Sequence, residues 1–250
     1  MQVIKRNLAN TITLLNLFCG LISILLIMNA NLYYASILIF IGSILDYIDG
    51  SLARLLKIDS KIGKQLDSFA DIVTFGIAPG FILFQLIYHS NTLTFFQSIS
   101  NIYNHDMFFV KDKNWQLSLI GLLIPLFSAI RLSKFNTTKS KTTYFIGLPT
   151  PAAALFIASL PLIMHYNPDY FISDYALIAI SIILSLLLIS EIHLFSLKIK
   201  LTKIERTGVL FFQIIFLISS IILLSIFQLI AIPFIVILYI ILSIINNLRA

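Results

Sequence analysis

Asp46, Asp49, Asp67 and Asp71 are the side chains best equipped for chemistry in this chain of 250 residues. They lie in the run Asp46-Tyr-Ile-Asp49-Gly50-Ser-Leu-Ala53-Arg54, followed by eight residues and then Gly63-Lys-Gln-Leu-Asp67-Ser-Phe-Ala-Asp71. Four carboxylates gathered in an apolar setting cannot all stay ionised without compensating charge. Oxygen ligands with no Cys or His nearby suit Mg²⁺ or Mn²⁺, with Ca²⁺ as an alternative, and not zinc. Two such divalent cations can clamp a diphosphate, stabilising the attacked phosphoryl group and the leaving oxygen together.

The spacing says how these groups are carried. Asp46 and Asp49 are i and i+3 on one helix, and Gly50, Ala53 and Arg54 share their face. Asp67 and Asp71 are i and i+4 on the next, with Gly63 one turn earlier on the same stripe. The two helices run in opposite directions around a short loop, so they present all four carboxylates to one point. Gly50, Ala53 and Gly63 leave room for a bulky group near the backbone, and Arg54 offers a bidentate phosphate contact. The bland alternative is a set of interfacial aspartates pairing with Arg54, Lys57, Lys61 and Lys64. Asp59 breaks the stripe and reads as a solvated loop charge.

Composition sets the medium. The chain is 59% hydrophobic and 11% charged, against roughly 25% charge in a soluble domain. The expected class is an all-α, polytopic membrane helix bundle in one domain, 1–250. Eight apolar segments fall at 11–29, 32–56, 66–88, 115–133, 149–165, 171–190, 207–227 and 229–247. A short interfacial helix is expected over 1–9, and a surface loop or short interfacial helix over 89–114. Eight spans put 15 of the 17 basic residues on one side, which makes that side, with both termini and the aspartates, cytoplasmic. The net charge of +6 is therefore one-sided and favours anionic headgroups or phosphorylated substrates. Basic residues scattered over several short loops exclude nucleic acid as a partner. Cys19 has no partner for an intrachain disulfide. Gly76 and Gly80 form a G-x-x-x-G around Pro79, read as packing within the bundle or as a dimer face.

The full run, Asp46-x-x-Asp49-Gly50-x-x-Ala53-Arg54-x8-Gly63-x3-Asp67-x3-Asp71, resembles the signature of the CDP-alcohol phosphatidyltransferases at all eight of its positions. The resemblance implies a six-helix catalytic core, about 7–190, commonly a homodimer, with 207–247 as additions. It implies that an alcohol displaces CMP from a CDP-linked donor. Asp46, Asp49, Asp67 and Asp71 would hold divalent metal, with Asp71 also the base that activates the hydroxyl. Gly50, Ala53, Arg54 and Gly63 would line the nucleotide pocket. Flanking text narrows the match: Thr13-Leu-Leu-Asn16, Leu66-Asp67-Ser-Phe-Ala-Asp71, Arg131-Leu-Ser-Lys134-Phe-Asn136 and Gly147-Leu-Pro149-Thr-Pro151 resemble the serine-accepting members. CDP-diacylglycerol, L-serine and membrane lipid are the partners that follow.

Other polar residues are weighed on their own chemistry. Arg131 and Lys134, three apart at a cytoplasmic helix end, suit the lipid-side phosphate or the serine carboxylate, or act as positive-inside anchors. Asn16 and Thr13 suit interhelical hydrogen bonding or a substrate contact. Pro149 and Pro151 mark a helix start. Rival readings are a different acceptor (glycerol 3-phosphate, inositol phosphate or an amino alcohol) and, from another class, a cation-coupled transporter.

Overall fold

The computed structural model describes residues 2–56, 60–89, 115–137, 144–167, 172–195 and 207–249. Helices α1 (Gln2–Met28) and α2 (Leu32–Leu55) form an antiparallel pair. A long rod follows: α3 (Lys61–Asp71), a π-helical turn (Ile72–Ile77) and α4 (Ala78–Tyr88). Next come α5 (Trp115–Ser118), a 3₁₀ turn (Leu119–Leu122) and α6 (Leu123–Thr137). Strand β1 (Tyr144–Ile146), α7 (Thr150–Tyr166), α8 (Asp174–Ile189), β2 (His193–Phe195), α9 (Thr207–Phe227) and α10 (Ala231–Arg249) complete the chain.

Five runs are long and apolar enough to cross a membrane: Asn7–Met28, Leu32–Leu55, Ile62–Tyr88, Trp115–Thr137 and Phe211–Leu248. They mark an integral membrane protein. The expected count of eight spans is not reached by these lengths. Helices α7 and α8 have 17 and 16 residues, about 24–26 Å at a rise of about 1.5 Å, short of the roughly 30 Å hydrocarbon core. The last run covers 38 residues and is interrupted at Gln228–Ile230, where Gln228 takes φ 50° and α10 folds back on α9.

The central element is the α3–π–α4 rod. Its apolar window is 61% buried, against 28% for α1 and α2, and Phe75, Ile82, Leu83 and Ile87 are fully enclosed. Its π turn has a local cause. Pro79 has no N–H and its ring would clash with the carbonyl four residues back. The backbone widens instead, and Ala78 N–H donates to Val73 O, five residues away. Polar side chains tie the neighbours together: Thr74 Oγ1 donates to Asn16 O (3.0 Å), Ser23 Oγ to Ala35 O (3.0 Å) and Gln85 Nε2 to Ile27 O (3.1 Å). Such bonds across membrane helices contribute roughly 0.6–2 kcal/mol each.

The G-x-x-x-G segment packs inside the bundle. A Cβ on Gly80 would lie 2.5 Å from Pro125 Cδ, and one on Gly121 would lie 2.6 Å from Phe84 N. Gly121→Ala should therefore push two backbones apart and lower stability by about 1–3 kcal/mol. A melting temperature equal to that of the unaltered chain would count against this close approach.

The bundle is helical as expected, with one short ribbon added: β1 and β2 pair antiparallel, with Tyr144 opposite Phe195 and Ile146 opposite His193. Gly147 makes this ribbon possible, taking φ 70° where a Cβ would meet Leu188 O at 2.6 Å, while its N–H donates to Ile192 O. Residues 1–9 do not form a separate helix; α1 runs unbroken from Gln2, since nothing between Arg6 and Thr11 stops it. The rod begins at Lys61, ahead of its apolar segment and with Gly63 on the same helix as Asp67, because Ser60 caps it by accepting from Gly63 N (3.3 Å). The start of α7 at Thr150, after Pro149 and with Pro151 in its first turn, follows the proline signal. All of the expected outer stretch except His89 lies outside the described residues.

Candidate active site

The acidic pairs meet where the end of α2 faces α3. Asp46, Asp49 and Asp67 each offer a carboxylate oxygen, and these oxygens lie within 4.8 Å of one another. Asp71 stands next to them, its carboxyl within hydrogen-bonding reach of Asp46. Asp49 is 5% exposed and is within hydrogen-bonding reach of the Thr13 hydroxyl and the Gly50 backbone. Thr13 can also donate to Ala9 O at 3.2 Å.

These residues fit a hard divalent cation. The donors are all carboxylate oxygens, and Asp49 Oδ2 and Asp71 Oδ1 are buried with no hydrogen-bond partner. Buried anionic oxygens are costly unless something meets them. Three converging carboxylates, with one unpartnered oxygen on Asp49 and another on the adjoining Asp71, form a ligand set that a cation of +2 charge satisfies.

A cavity of about 140 Å³ opens beside the acidic cluster. Asp49, Gly50 and Ala53 line it from α2, and Gly63 and Asp67 from α3. Gly63 keeps it open: a Cβ there would sit 3.2 Å from Asn10 Oδ1. Arg54 is exposed, outside the lining, and its Nη2 donates to Ser51 Oγ (3.0 Å) while it interacts electrostatically with Asp46. The cavity's third wall is Ala9, Asn10 and Thr13 of α1; sequence reasoning weighed Thr13 as a substrate contact but missed Ala9, Asn10 and the rim residues Ser60 and Lys64. The signal was present in part, since Asn10 and Thr13 are i and i+3 and share a face.

The remaining candidates fall at different depths. Arg131 is largely enclosed, its Nε has no hydrogen-bond partner, and Asp71 is one of its electrostatic neighbours. Lys134 is exposed in the last turn of α6. Asn136 Nδ2 of that helix donates to Ser68 Oγ (2.9 Å), between Asp67 and Asp71 in sequence, so α6 docks on the acidic helix. Asn16 is fully buried and absent from the cavity lining; its backbone carbonyl accepts from Thr74, and its amide atoms have no partner.

This geometry agrees with the family comparison. The profile of the CDP-alcohol phosphatidyltransferase family matches residues 6–187. The chain belongs to the CDP-alcohol phosphatidyltransferases. Among relatives, it is 36% identical over 161 residues to a CDP-diacylglycerol–serine O-phosphatidyltransferase of Bacillus subtilis, covering 63% of this chain and 75% of that one. It is 31% identical over 188 residues to an archaetidylserine synthase of Methanothermobacter thermautotrophicus, covering 74% and 68%. It is 31% identical over 186 residues to a CDP-diacylglycerol–serine O-phosphatidyltransferase of Methanocaldococcus jannaschii, covering 74% and 72%. Membership assigns a CDP-alcohol substrate and a transferase role in phospholipid biosynthesis, within a family that uses divalent cations. The match ends at residue 187, so β2, α9 and α10 lie beyond the family's shared region of a CDP-alcohol phosphatidyltransferase.

Proposed function

We propose that this transferase moves the phosphatidyl group of CDP-diacylglycerol to the hydroxyl of L-serine and releases CMP. The observation that carries the reading is the cavity: Gly50, Ala53 and Gly63 border the same space as Asp49 and Asp67. A nucleotide seated against these small residues has its diphosphate beside the carboxylates. Serine as acceptor is supported by the names of the relatives, which share serine while differing in the lipid.

Each residue then has a task. Asp46, Asp49, Asp67 and Asp71 hold two divalent cations, Mg²⁺ or Mn²⁺. When bound, these ions stabilise the charge that builds on the diphosphate and on departing CMP. Asp71 takes the serine hydroxyl proton; the serine oxygen forms a bond to the lipid-side phosphorus as the bond from phosphorus to the CMP oxygen breaks. Arg131, a largely enclosed cation with an unpartnered Nε, meets an anionic oxygen of the lipid-side phosphate or of the serine carboxylate. Lys134 and Arg54, both exposed, draw anionic substrate toward the site.

With α7 and α8 taken as passes shorter than the full hydrocarbon core, and the α9–α10 hairpin counted as two, eight spans put both termini and the site on the cytoplasmic side of the inner membrane. The chain works there as a homodimer. The deciding experiment offers CDP-diacylglycerol and a panel of acceptors to the purified protein. Serine should give CMP and phosphatidylserine at a rate at least about tenfold above glycerol 3-phosphate or inositol phosphate, a margin of about 1.4 kcal/mol. CMP release with another acceptor and none with serine would overturn the assignment.

A further inference from the structure

The rod that carries Asp67 and Asp71 changes its winding directly after the second of them. Asp71 is the last residue of α3, and the π turn Ile72–Ile77 begins at the next position. A regular α-helix fixes the angle between any two of its residues, whereas a π turn takes in an extra one. The phase of the acidic end is therefore not handed down from α4 by an unbroken repeat. A contact inside the π turn has to set it.

Thr74 is placed to do so. It is the third residue of the turn, three past Asp71, and is fully buried. Its side chain fills a socket between two glycines of other helices. A Cβ on Gly20 of α1 would lie 2.5 Å from Thr74 Oγ1 and 2.9 Å from its Cα, and a Cβ on Gly42 of α2 would lie 2.7 Å from Thr74 Cγ2. Hydroxyl and methyl are held by different helices, which leaves a β-branched side chain no freedom to turn. The hydroxyl also donates to Asn16 O (3.0 Å), one turn before Gly20 on α1. Gly42 is one turn before Asp46 on α2. The socket thus ties the rod to the stretch of α2 that leads into the other acidic pair.

We propose that Thr74 is a positioning residue for the acidic site: seated against Gly42 and bonded to Asn16 O, it sets the rotation of α3 so that Asp67 and Asp71 face Asp46 and Asp49. The proposal rests on the cation-binding reading of these carboxylates given above. Ligand oxygens must stand within a few tenths of an ångström of their places to hold a metal. A small rotation of α3 is therefore enough to weaken binding while the helix itself stays folded.

The purely structural alternative is that Thr74 only adds to the stability of the bundle. Ser23 separates the two. It lies on α1, is fully buried, and its Oγ donates across to Ala35 O of α2 at the same 3.0 Å. It is seven positions beyond Asn16, on the side away from Thr13 and the cavity. The test uses the full chain in lipid nanodiscs with Mn²⁺ as the probe. Affinity is read from the rise in melting temperature with added Mn²⁺, so turnover is not needed. Thr74→Val keeps the shape and removes the hydroxyl; it should weaken Mn²⁺ binding by about 3–15-fold, the range that one interhelical hydrogen bond spans. Thr74→Ser keeps the hydroxyl and should recover most of that loss. Ser23→Ala should lower the melting temperature and leave the Mn²⁺ affinity unchanged.

A second measurement needs no cation. Nitroxide labels on Tyr47 of α2 and Phe69 of α3, both exposed, report the distance between the two helices once Cys19→Ala has removed the native thiol. The distance distribution should broaden in Thr74→Val and stay narrow in Ser23→Ala. Parental Mn²⁺ affinity in Thr74→Val would overturn the proposal, as would an equal loss of affinity in Ser23→Ala or an unchanged label distance in Thr74→Val. A parent chain that gains no stability from Mn²⁺ would count against the cation site, and the label distances would still decide the role of Thr74.

Discussion

Asp71→Asn should lower CMP release by at least about 10³-fold, within the range for removing a general base, in a protein that still folds. The amide matches the carboxyl in size but cannot take the serine proton. Asp71 Oδ1 is buried and has no hydrogen-bond partner, so no other contact in the bundle depends on that oxygen. The change also removes one of four crowded carboxyl groups, the one whose neighbour Asp46 lies within hydrogen-bonding reach. Mutual repulsion among the carboxylates falls. The cation-free variant should therefore melt no lower than the cation-free parent. Measuring CMP release and melting temperature on the same preparation separates a lost base from a lost fold. Release at the parental rate from folded Asp71→Asn protein would remove Asp71 from the reaction.

Chelation should have an equally large effect. EDTA should bring CMP release to background, and Mg²⁺ or Mn²⁺ should restore it. Asp46, Asp49 and Asp67 bring oxygens within 4.8 Å of one another, and in an apolar bundle that cluster repels itself without a cation. A cation that binds only the folded state stabilises it by about 2.7 kcal/mol at a hundredfold excess over its Kd. The melting temperature should then rise with added Mn²⁺, and the rise should be absent in Asp49→Asn, whose Oδ2 is buried and unpartnered in the parent. Activity that survives chelation, or a Mn²⁺ shift retained in Asp49→Asn, would remove the cations from the account. The stability readout does not depend on turnover, so it holds even if the acceptor is not serine.

Much of the helical layout was legible because its punctuation is local. Pro149 and Pro151 announced α7, and the apolar segments 207–227 and 229–247 correspond to α9 and α10 within two residues at either end. Local rules failed where the cause was distant. The three-residue strands β1 and β2 are too short to show an alternating pattern, and their pairing depends on Gly147 bonding to Ile192, far along the chain. The π turn was hidden because Pro79 signals only a disturbance. Its cause is local, but a proline does not announce which form the disturbance takes, here a widened turn with Ala78 N–H donating to Val73 O.

The acidic site divides in the same way. Spacing along two helices is a property of the sequence, because a period of about 3.6 residues per turn fixes which side chains share a face. Residue order alone therefore determined that Asp46 goes with Asp49, Asp67 with Asp71, and that Gly50, Ala53 and Gly63 lie on the same faces. Composition fixed the lipid setting that makes those charges costly. Only the tertiary structure decided that three of the carboxylates converge while Asp71 adjoins Asp46, that α1 supplies the cavity's third wall, and that Asn16 is sealed away from it. It also brought Tyr239 from the last helix onto Phe195 of the ribbon. The physical reason is that a helix period relates residues a few positions apart, whereas the meeting of separate helices is set by which surfaces pack, and no local repeat encodes that.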